Sequence, residues 1–287
     1  MSKTLHFYIA FLYILTLGAV GTLSAQDDIQ NLKRAEDYIR QAAGYYAQAQ
    51  YEEAIKEYQF AAAIYRRINR FDLYGVCYNG VGNCYVEMTR YKQALAEFNR
   101  VLALYKEMGQ RNPELKVDSL VISDAYEGIG RYYMNVAVDY KKAMLYHQDA
   151  LYLRLTYGSN PTLNALSYYF IGLCYRGFAI DSTKMLEEDI GNPIEKELEY
   201  LQKALAIQLE SAGENHFQTA DTYAALGDYY YELKHDYQKG FGYHQKALVI
   251  REKAFRDDHP KIAASHLDFA TYYRVMNMFD REQEYLE

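Results

Sequence analysis

The chain has no tryptophan, only four prolines and only three cysteines in 287 residues. So few prolines leave long helical stretches uninterrupted, because proline breaks a helix interior. An odd cysteine count excludes a fully paired disulfide framework. Cys77 and Cys84 lie seven apart in one helical stretch. Their Cα atoms are then ~10.5 Å apart at 1.5 Å of rise per residue, beyond the reach of a disulfide. These two and Cys174 read as small buried hydrophobes, and no paired ligand spacing of a metal site accompanies them. Clustered lysine and arginine are also lacking, with 31 basic against 38 acidic residues and a net charge of −7. Nucleic acid is therefore not an expected partner. There is no Gly-x-Ser-x-Gly, no His-Glu-x-x-His and no Walker-type loop, so the common hydrolase, zincin and nucleotide signatures are missing. No catalytic residue, cofactor or metal site is expected.

Long apolar runs are scarce as well. The one from Phe7 to Val20 follows Lys3 and leads into Gly21, Thr22, Ser24 and Ala25 before Gln26-Asp27-Asp28. Basic start, apolar middle and small-residue end are the layout of a secretory signal. Residues 1–25 are expected to be a signal peptide cut after Ala25 or Ser24, with an uncleaved anchor as the alternative. The mature chain would then be exported, periplasmic or secreted in a bacterial envelope, with no membrane span after cleavage. No cysteine ends the apolar run, so a lipid anchor is not indicated.

What the chain has in abundance is tyrosine, 33 of them, within a composition that is 50% hydrophobic. A tyrosine buries its ring and keeps its hydroxyl for water or a partner, which suits half-exposed helix surface. The tyrosines fall into a repeat. One helix reads Tyr78-x3-Gly82-x2-Tyr85, Tyr126-x3-Gly130-x2-Tyr133, Tyr168-x3-Gly172-x2-Tyr175 and Tyr223-x3-Gly227-x2-Tyr230, with His266-x3-Ala270-x2-Tyr273 last and Tyr38-x3-Ala42-x2-Tyr45 first. A second helix follows, as in Tyr51-x2-Ala54-x3-Tyr58, Tyr91-x2-Ala94-x3-Phe98, Tyr140-x2-Ala143-x3-His147 and Tyr237-x2-Gly240-x3-His244. Self-similarity of this kind marks a solenoid of helical hairpins. Each small residue lets a facing helix approach closely, so a bulky side chain at Gly82, Gly130, Gly172 or Gly227 should overpack its hairpin by ~1–3 kcal/mol. His147 and His244 share one position in two copies, which argues for packing over catalysis.

The small residues of the first helices are spaced by 40, 48, 42, 55 and 43. Such spacings exceed a bare hairpin and imply longer linkers. Three of these are related: Tyr157-Gly-Ser-Asn-Pro161, Gly213-Glu-Asn-His216 and Arg256-Asp-Asp-His-Pro260, each after an Ala-Leu-x-x-(Arg/Gln) run. Asn, Asp and Pro there supply turns and helix caps. The expected organisation is an array over 26–287, with units at about 30–68, 71–108, 119–157, 162–211, 217–255 and 261–287. The fourth carries an insertion at 176–195, with a short helical turn expected at 183–189. The array stops inside the second helix of its last unit. That fits a chain that continues or is naturally short, or self-association through an uncapped last repeat.

The pattern resembles the tetratricopeptide repeat family, and in its longer spacing the repeats of kinesin light chain and related bacterial arrays. Ala247-Leu-Val-Ile-Arg251 with Asp258-His-Pro260 carries the likeness most fully, followed by Ala204-Leu-Ala-Ile-Gln208 with Glu214-Asn-His216. The resemblance implies an all-α fold, a right-handed solenoid of about six hairpins, whose first helices line a concave groove that binds a peptide or protein segment. It implies a scaffold and not an enzyme, or the extracytoplasmic sensory portion of a longer signalling protein such as a kinase or transcription regulator. Carried over position by position, the groove residues are Arg40, Asn79, Asn83, Glu127, Arg131, Tyr169, Arg176, Asp221, Asp228, Asp268 and Arg274. Asn79 and Asn83 resemble a peptide clamp, since they share a helix face and an amide can both donate and accept. Asp221, Asp228 and Glu232 give the fifth unit an acidic character that would suit a basic partner segment.

Overall fold

The computed structural model describes residues 27–111, 118–158, 160–181 and 191–286. The expected signal peptide and the expected helical turn at 183–189 lie outside them. Among the described residues there is no strand, and twelve helices follow one another as six hairpins. The first helix of each hairpin is called helix A and the second helix B. They are α1 (27–47) with α2 (Tyr51–Arg67), α3 (Phe71–Glu87) with α4 (Tyr91–Arg111), and α5 (Ser119–Tyr132) with α6 (Tyr140–Tyr157). Then come α7 (Pro161–Ile180) with α8 (Pro193–Ser211), α9 (Phe217–Asp228) with α10 (Tyr237–Ala254), and α11 (Pro260–Val275) with α12 (Phe279–Leu286). This is an all-α solenoid. None of the described helices is long and apolar enough to cross a membrane.

Its core is a succession of small clusters, each built from successive helices. Phe98, Val101 and Tyr105 of α4 meet Val86 of α3 and Val121, Ala125 and Ile129 of α5. Further along, Leu201 of α8 meets Ala220, Tyr223 and Leu226 of α9 and Ala247 and Ile250 of α10. The extensively packed helix pairs are neighbours or next-neighbours in sequence, as an array stabilised through nearest-neighbour interfaces requires. Cys77, Cys84 and Cys174 are buried and unpaired, and burial pushes the thiols of Cys77 and Cys84 up to about 12.

The linkers cap helices in the way their composition suggests. Asn160 accepts from the Thr162 amide ahead of α7, and Asp236 from the Lys239 amide ahead of α10. Histidine does the same work at α9 and α11, where Nδ1 of His216 and of His259 accepts from Gln218 and Lys261. Burial lowers the pKa of both rings, which keeps that nitrogen an acceptor. In the fourth hairpin the helices reach further than expected. Arg176 lies inside α7, which runs to Ile180, and α8 begins at Pro193, so both ends of the expected insertion are helical.

Two A helices, α5 and α9, end in a turn of π-helix, Tyr133–Ala137 and Tyr229–Leu233. A left-handed residue follows each, Val138 at φ 50° and His235 at φ 52°. Valine there is strained, because a branched Cβ crowds the backbone at positive φ.

Candidate functional site

The groove wall starts from the glycines. A Cβ on Gly227 would sit 1.8 Å from Cδ2 of His244, one on Gly130 2.5 Å from Cε1 of His147, and one on Gly82 2.6 Å from Cε1 of Phe98. In three hairpins, therefore, a helix-B ring packs directly against a helix-A glycine. The fourth is looser: a Cβ on Gly172 would be 3.2 Å from the flexible side chain of Leu201. Overpacking expected equally at four glycines is thus confined to three.

In the third and fifth hairpins an arginine on helix B then ties the hairpin to the next. Arg154 of α6 is 1% exposed. It donates to Asp124 (2.8 Å) and Glu127 (2.7 Å) of α5, and to Ser167 Oγ (2.6 Å) and the Leu163 carbonyl (2.9 Å) of α7. Arg251 of α10 repeats this on Asp221 (3.0 Å) of α9 and on Ser265 (2.6 Å) and the Lys261 carbonyl (3.3 Å) of α11. Both close an Ala-Leu-x-x-Arg run. In the third run the same place is held by Gln208, which is buried with Oε1 unpartnered. In the second hairpin it is held by Tyr105, whose hydroxyl donates to the Asp72 carbonyl at 3.1 Å. Sequence reasoning treated these residues only as a family signature. Their recurrence was the signal that could have found them.

The A helices stand side by side and exchange polar contacts. Asn79 of α3 donates to the Val121 carbonyl of α5 at 2.8 Å, and is buried. It is a fastening between two hairpins, which corrects its reading as half of a peptide clamp. Asn83 stays half-buried. Glu87 of α3 pairs with Arg131 of α5 at 2.9 Å, and Arg131 lies over the Phe170 ring of α7 at 5.5 Å. Burial would push Glu87 up, but Arg131 and then Lys261 of α11 hold it below the usual carboxylate range.

Glu127 is buried, not open to the groove. Burial pushes its carboxyl up, yet His147 and Arg154 win and hold it at about 2. His147 Nδ1 lies 2.8 Å from Glu127 Oε1, a close contact without hydrogen-bond geometry. The ring stacks on Phe170 with centroids 5.0 Å apart. Arg176 of α7 donates to Glu197 (3.0 Å), Asp228 (2.9 Å) and the Ala225 carbonyl (2.9 Å). Glu197 is fully buried, its Oε2 has no partner, and burial raises it to about 7 against the pull of Arg176. The arginine's own pKa is raised, which by itself suggests a fully ionised pair. The shared guanidinium and the unpartnered oxygen favour the upward direction for Glu197.

Asp221, also held by Lys261, and Asp228 are therefore both neutralised, which removes most of the acidic character expected of the fifth unit. Tyr169 and Asp268 sit half-buried on the wall. Arg40 and Arg274 are exposed and paired locally, with Asp37 and Glu282. The result is a charge-balanced lining in which tyrosine hydroxyls stay neutral. Burial and then Glu87 raise both Tyr46 and Tyr51, the latter to about 12. A neutral phenol can both donate and accept.

Residues 32–107 match the tetratricopeptide repeat family model. The first two hairpins thus carry the tetratricopeptide repeat pattern. The fold extends along the described chain, as solved structures show. The apo form of RapI aligns with TM-score 0.60 and 16% identity over 89% of this chain and 81% of its own. BtubC (BKLC) from P. vanneervenii aligns with TM-score 0.54 and 18% identity over 88% of each chain. A signal transduction ATPase with a tetratricopeptide repeat sensor from Pyrococcus horikoshii aligns with TM-score 0.50 and 20% identity, over 89% of this chain and 35% of that one. Curated protein sequences include no match to this chain.

Proposed function

We propose that this tetratricopeptide array is a non-catalytic scaffold that holds an extended segment of a partner protein along the wall formed by α3, α5, α7, α9 and α11. The observation that carries this reading is the chain of polar contacts that joins successive A helices, Asn79 to Val121, Glu87 to Arg131 and Arg176 to Asp228. It makes the A helices one continuous wall, lined by half-exposed Asn83, Arg131, Tyr169 and Asp221. An extended backbone offers carbonyls and amides at regular intervals, which neutral phenols, an asparagine amide and paired charges can meet. Because the charges are already paired, a partner with alternating polar groups fits better than one with a long basic run. The N-terminal signal layout supports export to a bacterial envelope as the place of work.

The test is a peptide library selected on the purified chain, with affinities measured by fluorescence anisotropy. Selected peptides should lose at least ~10-fold in affinity on Arg131→Glu and keep it on Gln148→Glu at an exposed position of α6. Equal affinities for both variants and the parent chain would refute the groove.

A second reading, the sensory portion of a longer signalling protein, is favoured by the likeness to the tetratricopeptide repeat sensor of the P. horikoshii ATPase. An open reading frame continuing past residue 287 into a kinase or DNA-binding module would decide for it.

A further inference from the structure

The fifth hairpin repeats the third with its histidine in different surroundings. His244 lies on Gly227 as His147 lies on Gly130. His147 has Glu127 beside Nδ1 and stacks on Phe170, over which Arg131 lies. His244 instead has two carboxylates beside it, Asp228 and Asp268.

The His244 side chain is 4% exposed. Its Nε2 is 3.0 Å from the Ala224 carbonyl and 3.1 Å from Asp228 Oδ1. A carbonyl oxygen only accepts, so Nε2 carries a hydrogen. Nδ1 is buried, has no hydrogen-bond partner, and faces Asp268 Oδ2 at 3.7 Å. In the neutral ring Nδ1 presents a lone pair to this carboxylate, a contact that a proton or a metal ion relieves. The separation is too long for an N–H···O bond. It is close to the ~3.4 Å that separates two ligands with bonds of ~2.1 Å at a tetrahedral angle. One donor atom from each of Asp228, His244 and Asp268 lies within 4.8 Å of the other two. A second buried and unpartnered atom, Tyr272 Oη, belongs to the same neighbourhood. Its ring meets the His244 ring edge-on at 5.5 Å. Buried polar atoms without partners mark the place of a water or an ion.

We propose that Asp228, His244 and Asp268 form a binding site for a divalent first-row transition-metal ion of the zinc class, clipping α9, α10 and α11 together at the last hairpin junction. The donor set, one imidazole and carboxylates, is the one such ions accept. The hydrogen bond from Nε2 to Ala224 fixes the ring as outer partners of metal-binding histidines do. Arg176 on the far oxygen of Asp228 and Glu232, 3.9 Å from Arg176, complete the charged surroundings. Asp228 and Asp268 are about a third exposed on the groove side, so further coordination positions remain for water or a partner's donor group. The ligands come from three helices, and for that reason no sequence spacing announces them.

The test is titration of chelator-treated full chain with Zn2+ by calorimetry, and with Co2+ by absorption. The expected result is one saturable ion per chain, a cobalt spectrum without a thiolate charge-transfer band, and a higher melting temperature with metal. Asp268→Asn, at a partly exposed position that should still fold, is expected to weaken binding at least ~10-fold, as is His244→Gln, while Asp149→Asn on α6 leaves it unchanged. Absence of saturable binding, equal binding by Asp268→Asn and the parent, or a thiolate band from the cysteines would each overturn the proposal.

Discussion

The third and fifth hairpins share a frame and use it differently. In each, a glycine receives a histidine ring and a helix-B arginine fastens two A helices. In the third, Arg154 serves Glu127, which is buried on every side and depends on that cation. In the fifth, Arg251 serves Asp221, which is partly open and also held by Lys261. The same contact is thus a necessity in one place and a redundancy in the other. What decides is how many partners the carboxylate has and whether water can reach it.

Removing the arginine should separate the two most strongly. Arg154→Met leaves Glu127 buried with His147 and the Ser167 hydroxyl but without its arginine, and unfolding in urea should show a loss of ~3–5 kcal/mol. Arg251→Met leaves Asp221 with Lys261 and should lose ~1.5–3 kcal/mol. Equal losses would contradict the redundancy.

Acidity separates Glu127 from Glu197 next. Glu127 is depressed to about 2 in the folded chain, so its contribution is present above the unfolded carboxylate value and is lost as pH falls through that value towards about 2. Glu197 is raised to about 7, so the fold is penalised as pH rises from the unfolded value through about 7. At 1.36 kcal/mol per pKa unit, each effect is ~3 kcal/mol at most. Glu127→Gln should remove the acid-side loss and Glu197→Gln the loss between about pH 5 and 7, both read from melting temperature against pH. A parent-like profile in either variant would refute the corresponding assignment.

The glycines come third. Gly227→Ala drives a methyl into the His244 ring and should cost ~1–3 kcal/mol. Gly172→Ala meets only the movable end of Leu201 and should cost less than ~1 kcal/mol. The smallest effect concerns the turn after α5, where Val138→Gly should stabilise by ~0.5–1 kcal/mol by relieving positive-φ strain.

Much of this was legible in the sequence, for identifiable reasons. The period of small residues and tyrosines is a local signal that marks the hairpins and the glycine contacts, and the linker composition marks the cap at Asn160, while the capping by His216 and His259 was not foreseen. Depth was not legible. Asn79, Glu127 and Asp228 occupy helix-A positions on the inner side, but whether such a residue lines the wall or is fastened within it depends on a neighbour 16 to 42 positions away. Arg154, Arg251 and Gln208 went unnoticed as fasteners because a lone arginine at a helix end looks like any solvated one. The His244 cluster was hidden in the same way, by assembly from three helices.

Hydrogen–deuterium exchange of the chain with and without a selected peptide tests the central claim most directly. New protection should fall on α3, α5, α7 and α9, and leave α6 and its exposed Leu145 and Tyr152 unchanged. Protection confined to α6 and the other B helices would contradict a groove-binding scaffold.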